Sequence, residues 1–171
     1  MSNETISASD IEGLNRLIAI EQIRNLHARY WRFVDSQNWD AFGALFTADA
    51  GFTEHLTGFH CEGAGEIQAA VAAFLNGATT VHHGHQSEIE VHDDGTADAI
   101  FVMEDYLIFP PGAVNPGTGA PMSTLHGYGH YVEKIVKVEG EWRFQQVDLY
   151  RVRVETEGSA ATEFPPILLQ S

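Results

Sequence analysis

The chain has 171 residues and carries 9 Lys and Arg against 24 Asp and Glu, a formal net charge of −15. A charge that negative repels phosphate backbones and anionic lipid, so it argues against nucleic-acid and membrane-surface roles. Hydrophobic residues make up 44% and charged residues 19%, an ordinary globular mixture that excludes a disordered chain.

At about 150 residues per domain the length predicts one domain over 1–171, with a core of about 10–155 and a C-terminal tail, 156–171. The lone cysteine, Cys61, has no internal disulfide partner, which suits a reducing compartment. The first ten residues are polar, and no run of about 18 apolar residues occurs. The expectation is therefore a cytoplasmic protein.

Taken in chain order, Ser9-Asp10-Ile11-Glu12 has the form of a capping box, with Ser9 as N-cap. Apolar residues then recur every three or four positions, at Ile11, Leu14, Leu17, Ile18, Ile23, Leu26, Tyr30, Phe33 and Val34. This predicts a helix to about Asp35, with a bend near 19–21 because of its length. A short helix over 39–46, a short strand over 51–55, a loop through HLTGFHCEGAG and a third helix over 66–75 follow. The period then changes to two. Strands over 80–92 and 97–109 flank an Asp-Gly turn, and strands over 123–138 and 141–155 flank Glu139-Gly140. Between the hairpins, residues 110–122 hold four of the six prolines and three glycines, which predicts a mobile lid or an interface loop. The apolar residues of the tail, Phe164, Ile167, Leu168 and Leu169, are expected to pack on the domain or on a second subunit. Helices segregated from an antiparallel, curved sheet make an α+β fold.

Polar residues among apolar ones mark the candidate site. In the 80–92 strand, Val81, His83, His85, Ser87, Ile89 and Val91 share one face, and the other face is polar. Alternation therefore points His83 inward. Position alone leaves two readings for it, a core histidine tied to a carbonyl or a catalytic base. In the next strand Asp105 is the one charge in the row Ala99, Phe101, Met103, Asp105, Leu107, Phe109. Such a carboxylate either reaches water at the sheet end or meets a polar partner. On the helix, Tyr30 and Asp35 lie about 140° apart, so each taken alone reads as packing and as a turn residue. His83-x-His85 could form a metal pair. The surrounding Gly77, His83, His85 and Glu90 approximate half of a cupin motif, but Gly95 comes too early and the second half is not found. Cys61 has no catalytic signature around it.

The segment IEQIRNLHARYWRFVDSQNWDAFGALFTADA resembles the opening of SnoaL-like proteins of the nuclear transport factor 2-like superfamily. TTVHHGHQSEIEV, AIFVMEDYL, GYGHYVEKIVKVEGEWRF and LYRVR are similar as well, so that the likeness covers about 10–155. The resemblance implies a cone-shaped curved antiparallel sheet wrapped on the N-terminal helices around a deep, mainly apolar pocket. Relatives include scytalone dehydratase, bile-acid 7α-dehydratase, ketosteroid isomerase and polyketide cyclases. The bile-acid dehydratase pattern of Tyr, Asp, His, Asp and Arg falls on Tyr30, Asp35, His83, Asp105 and Arg151. His82 stands next to His83, and the strand alternation favours His83.

In that assignment His83 is the base and Asp35 orients its imidazole. Tyr30 donates to the developing enolate oxygen, and Asp105 assists proton return or the leaving hydroxyl. The resemblance thus implies a cofactor-independent lyase or isomerase acting on a hydrophobic ring compound such as a steroid, polyketide or aromatic metabolite. It requires no metal. A homodimer or homotrimer is expected from the apolar outer row of Val102, Tyr106 and Ile108. The alternatives are a non-catalytic binding protein and the structural small subunit of a ring-hydroxylating dioxygenase.

Overall fold

A computed structural model describes residues 7–115, 119–156 and 162–163. The apolar residues of the tail lie outside the described residues. The first helix, α1 (Ala8–Asp35), is capped by Ser7 rather than Ser9. The Ser7 hydroxyl accepts from the Asp10 amide at 3.2 Å, and the Asp10 carboxylate accepts from the Ser7 amide at 2.9 Å. Two overlapping capping boxes were available in this stretch, and the earlier one forms.

α1 runs unbroken for 28 residues and buries Ala19, Ile23, Leu26, His27, Tyr30 and Val34. Ile11, Leu14, Leu17 and Ile18 have the right spacing for a core stripe, yet all four are exposed, because the helix packs on the described chain only from Ala19 onward. The helix ends where Gln37 turns to φ +52°. There the Gln37 side-chain amide donates to the Ala78 carbonyl at 2.8 Å, which fastens the C-terminal end of the helix to the segment leading into the sheet.

The second helix, α2 (Trp39–Gly43), stops early, since Phe46 already pairs with Phe144. The strands are β1 (Phe46–Glu54), β2 (Phe59–Glu62), β3 (Thr79–Val91), β4 (Thr96–Ile108), β5 (Thr124–Val138), β6 (Glu141–Thr156) and the short β7 (Thr162–Glu163), with α3 (Ala64–Phe74) between β2 and β3. β2 occupies part of the predicted HLTGFHCEGAG loop and pairs with β1. The sheet order is β2-β1-β6-β5-β4-β3, with β7 beside β6. All pairs are antiparallel except β1 with β6, so the curved, unclosed sheet is mixed rather than purely antiparallel. The Glu139-Gly140 turn has φ +52° and +88°, the backbone twist that a tight two-residue hairpin needs. The segment after β4 is pinned by hydrogen bonds from Met122 to Ala113 and from Phe109 to Ser123, and by a bridge between Val114 and Pro121.

The core lies between α1 and the inner sheet face. Phe42, Phe46, Tyr131 and Phe144 close around Tyr30. β3 is an edge strand, and α1 lies along it. That placement creates the site. No helix among the described residues is long and apolar enough to cross a membrane.

Candidate active site

One extra residue in β3 decides which histidine faces inward. Gly84 pairs with Met103, but Ser87 pairs with Phe101, so three steps on β3 oppose two on β4. This β-bulge reverses the alternation. Before it Thr80 and His82 point inward, and after it Ser87, Ile89 and Val91 do. Gly84 sits at the bulge because the Trp31 indole packs where its side chain would be.

His82 therefore meets Asp35. The His82 ring Nδ1 lies 2.6 Å from Asp35 Oδ1. The His82 amide, on the free edge of β3, donates to Asp35 Oδ2 at 3.0 Å, and the Thr80 hydroxyl donates to Oδ1 at 2.8 Å. Burial alone would raise the Asp35 carboxyl, but the hydrogen bonds from the His82 ring, the His82 amide and Thr80 outweigh it and hold the group below the ordinary value. An ionised Asp35 has no proton to give, so the proton of the short contact sits on His82 Nδ1. In the neutral ring that tautomer puts the lone pair on Nε2, where a base would need it. The pair opens on a groove of about 510 Å³ lined by Ala28, Trp31, Arg32, Asp35, Ser36 and His82.

A second polar group lies further in. His82 is the register partner of Asp105, and Asp105 of Gly127, so the three share the inner face. Arg151 Nη1 donates to Asp105 Oδ1 at 2.7 Å, with both side chains nearly buried. Burial would lower the Arg151 pKa, but the charge and hydrogen bond of Asp105 raise it. Burial pushes both the Tyr30 and Tyr131 hydroxyls above the usual phenol range, and the two hydroxyls hydrogen-bond each other beside Arg151. Both phenols stay protonated donors at neutral pH. Deeper still, His27 Nδ1 lies 2.7 Å from Glu133 Oε1, with neither side chain exposed.

Of the residues the sequence pointed to, Asp35 lines this groove, while Asp105 and Arg151 form a buried pair on the same inner face without lining it. His83 does neither. It is exposed on the outer face, paired across the ladder with Glu104, because the bulge shifts the parity that placed it inside. Tyr30 is buried and does not line the groove; its hydroxyl faces Tyr131 instead. His85 and His126 also approach Glu104 on the outer face, at 3.6 and 2.7 Å. Among the described residues no group of three or more His, Cys, Asp or Glu is arranged to hold a metal ion.

The SnoaL-like domain family matches residues 15–148. The chain belongs to that family. Solved structures share the fold of this SnoaL-like protein at low identity. A protein assigned as a scytalone dehydratase from Novosphingobium aromaticivorans is 19% identical with a TM-score of 0.72, over 91% of this chain and 97% of the other. The hexachlorocyclohexane dehydrochlorinase LinA-type3 from Novosphingobium barchaimii is 15% identical with a TM-score of 0.70, over 91% and 99%. A Mycobacterium tuberculosis protein of unknown function is 20% identical with a TM-score of 0.69, over 88% and 79%. Three residues beside this SnoaL-like site escaped the sequence reading, Thr80, Tyr131 and Gly127, and His82 was set aside there in favour of His83. A glycine inside a strand is itself a bulge signal, so Gly84 was the clue to His82. Nothing local marks the other three.

Proposed function

We propose that the protein is a cofactor-independent lyase or isomerase of the dehydratase kind, acting on a hydrophobic ring compound that carries a carbonyl. The observation that carries this reading is the Asp35–His82 pair on an open groove. His82 Nε2 takes a proton from the carbon beside the carbonyl. Asp35 holds the tautomer and stabilises the imidazolium, as carboxylates do for histidine bases. Arg151, ion-paired with Asp105 beside the Tyr30–Tyr131 hydroxyls, does not line the groove and serves as a positioning residue behind His82 on the same inner face. Tyr30 acts through Tyr131 and Arg151 as a positioning residue, since it does not reach the groove. The low-identity neighbours named for dehydratase and dehydrochlorinase chemistry support the same class of reaction, removal of a carbon-bound proton with loss of a leaving group.

The test needs no knowledge of the natural substrate. A panel of ring ketones in D2O is followed by proton NMR for exchange at the carbon beside the carbonyl. Exchange that depends on His82 supports the reading. A panel that shows no exchange above buffer, or exchange unchanged in His82→Gln, overturns it.

A further inference from the structure

The groove at the Asp35–His82 pair has a chemical character of its own. Arg32 is its one cation with a fixed charge, on a chain whose net charge is −15. The guanidinium carbon stands 4.5 Å from the centre of the Phe33 ring, a contact that orients it without neutralising it. Among the described residues no carboxylate lies within 4.0 Å of Arg32. The nearby Asp35 carboxylate is already occupied by the His82 ring, the His82 amide and Thr80. Trp31, whose indole is seated over Gly84, lines the same groove. An arginine with no carboxylate partner, a tryptophan and a histidine base thus line one open groove.

We propose that the groove takes a ring compound bearing a carboxylate, with the carboxylate on Arg32 and the ring against Trp31. A planar guanidinium fork matches a carboxylate bidentately. The net charge of −15 disfavours anions overall, so a local guanidinium is what lets this groove accept one. This rests on the catalytic reading only for the orientation it gives, with the reacting carbon toward His82 Nε2.

The test uses 2-naphthoate and its neutral counterpart 2-naphthamide, with affinity read from Trp fluorescence quenching and, separately, from ligand-observed NMR. A Trp31→Phe variant identifies which part of the quenching comes from the groove. Naphthoate should bind about tenfold more tightly than the amide, as one charge-assisted pair allows. Arg32→Gln should remove that preference, Arg32→Lys should keep part of it, and added salt should weaken it in the wild type. Arg32 is exposed, so these variants are expected to fold, which circular dichroism checks; the salt series on unaltered protein tests the same charge if they do not. Equal affinity for acid and amide in the wild type, or an unchanged preference in Arg32→Gln, overturns the proposal. Charge-selective binding without deuterium exchange on any ketone overturns the catalytic reading and leaves this one standing.

Discussion

Asp105 and Arg151 join across an intervening strand. They belong to β4 and β6, and their 2.7 Å contact passes directly over Gly127 of β5. A side chain at 127 would occupy the positions of Arg151 Nη1 and Asp105 Oδ1. Gly127→Ala is therefore expected to displace the flexible Arg151 end rather than the backbone, at about 1–3 kcal/mol. Arg151→Met should cost more, about 3–5 kcal/mol, because it leaves the Asp105 charge buried without its partner. Urea unfolding of the two variants checks the order. Gly127→Ala equal to wild type would mean the bridge does not need the bare backbone.

That bridge also shows what the sequence could and could not tell. Asp105 stands out as a lone charge in an apolar row, and Arg151 follows from the family pattern. Their contact depends on the β4-β5-β6 order and on a glycine whose role is clear only once a guanidinium lies above it. The hairpins, the helices and their approximate bounds were legible because period and turn chemistry are local. β2 was not, since its four residues become a strand only through β1. The histidine is the instructive case. Strict alternation assigns His83, and one extra residue after Gly84 hands the position to His82. Parity arguments hold only between bulges. The exposed Ile11, Leu14, Leu17 and Ile18 teach a similar lesson, because a helical stripe records what could be buried and not what the described chain covers.

The buried His27–Glu133 pair predicts a pH-dependent stability term. Burial raises the Glu133 carboxyl, and the His27 ring 2.7 Å away only partly offsets this. A carboxyl raised on folding favours its protonated form in the native state. Its contribution is fully present below the ordinary glutamate value of about 4.3 and is lost as pH rises through the native value. Glu133→Gln does not titrate. Its stability relative to wild type should therefore increase as pH is raised from about 4 to 8, read by urea unfolding at each pH. A difference that stays constant, or falls, would show that the native carboxyl is not raised.

Asp35 has the opposite sign. Its carboxyl is held below the ordinary value by His82 and Thr80 against the effect of burial. Its contribution is present above about pH 4 and is lost as pH falls through the native value. Asp35→Ala should cost about 1–3 kcal/mol at pH 7, the range for leaving buried donors without an acceptor. The gap to wild type should narrow toward pH 3. A gap that widens on acidification would contradict the assignment.

Self-association is expected through the outer sheet face. Val81 and Tyr106 are register partners, and with Ile108 they form a patch whose three members are each more than 40% exposed. Large contiguous apolar patches mark interaction sites. Light scattering at high micromolar concentration should give a dimer or trimer, and Tyr106→Glu should shift it toward monomer. A wild-type monomer under those conditions ends the expectation.

The two neighbouring histidines give the sharpest contrast. His82 and His83 are adjacent in sequence and differ in everything that matters for catalysis. The His82 side chain is 7% exposed and bound to Asp35, whereas His83 lies on the outer face opposite Glu104. Proton transfer by a placed side chain contributes about 10²- to 10⁴-fold. His82→Ala should lower deuterium exchange by that factor on any ketone the wild type accepts, while His83→Ala leaves it unchanged. Asp35→Asn should fall between them, because the base remains but its tautomer and the resulting positive charge lose their support. Thermal unfolding of all three separates these effects from misfolding. If His83→Ala abolishes exchange and His82→Ala does not, the bulge has been misjudged as the feature that selects the base, and the outer-face row of His83, Glu104 and His126 becomes the place to look for the chemistry.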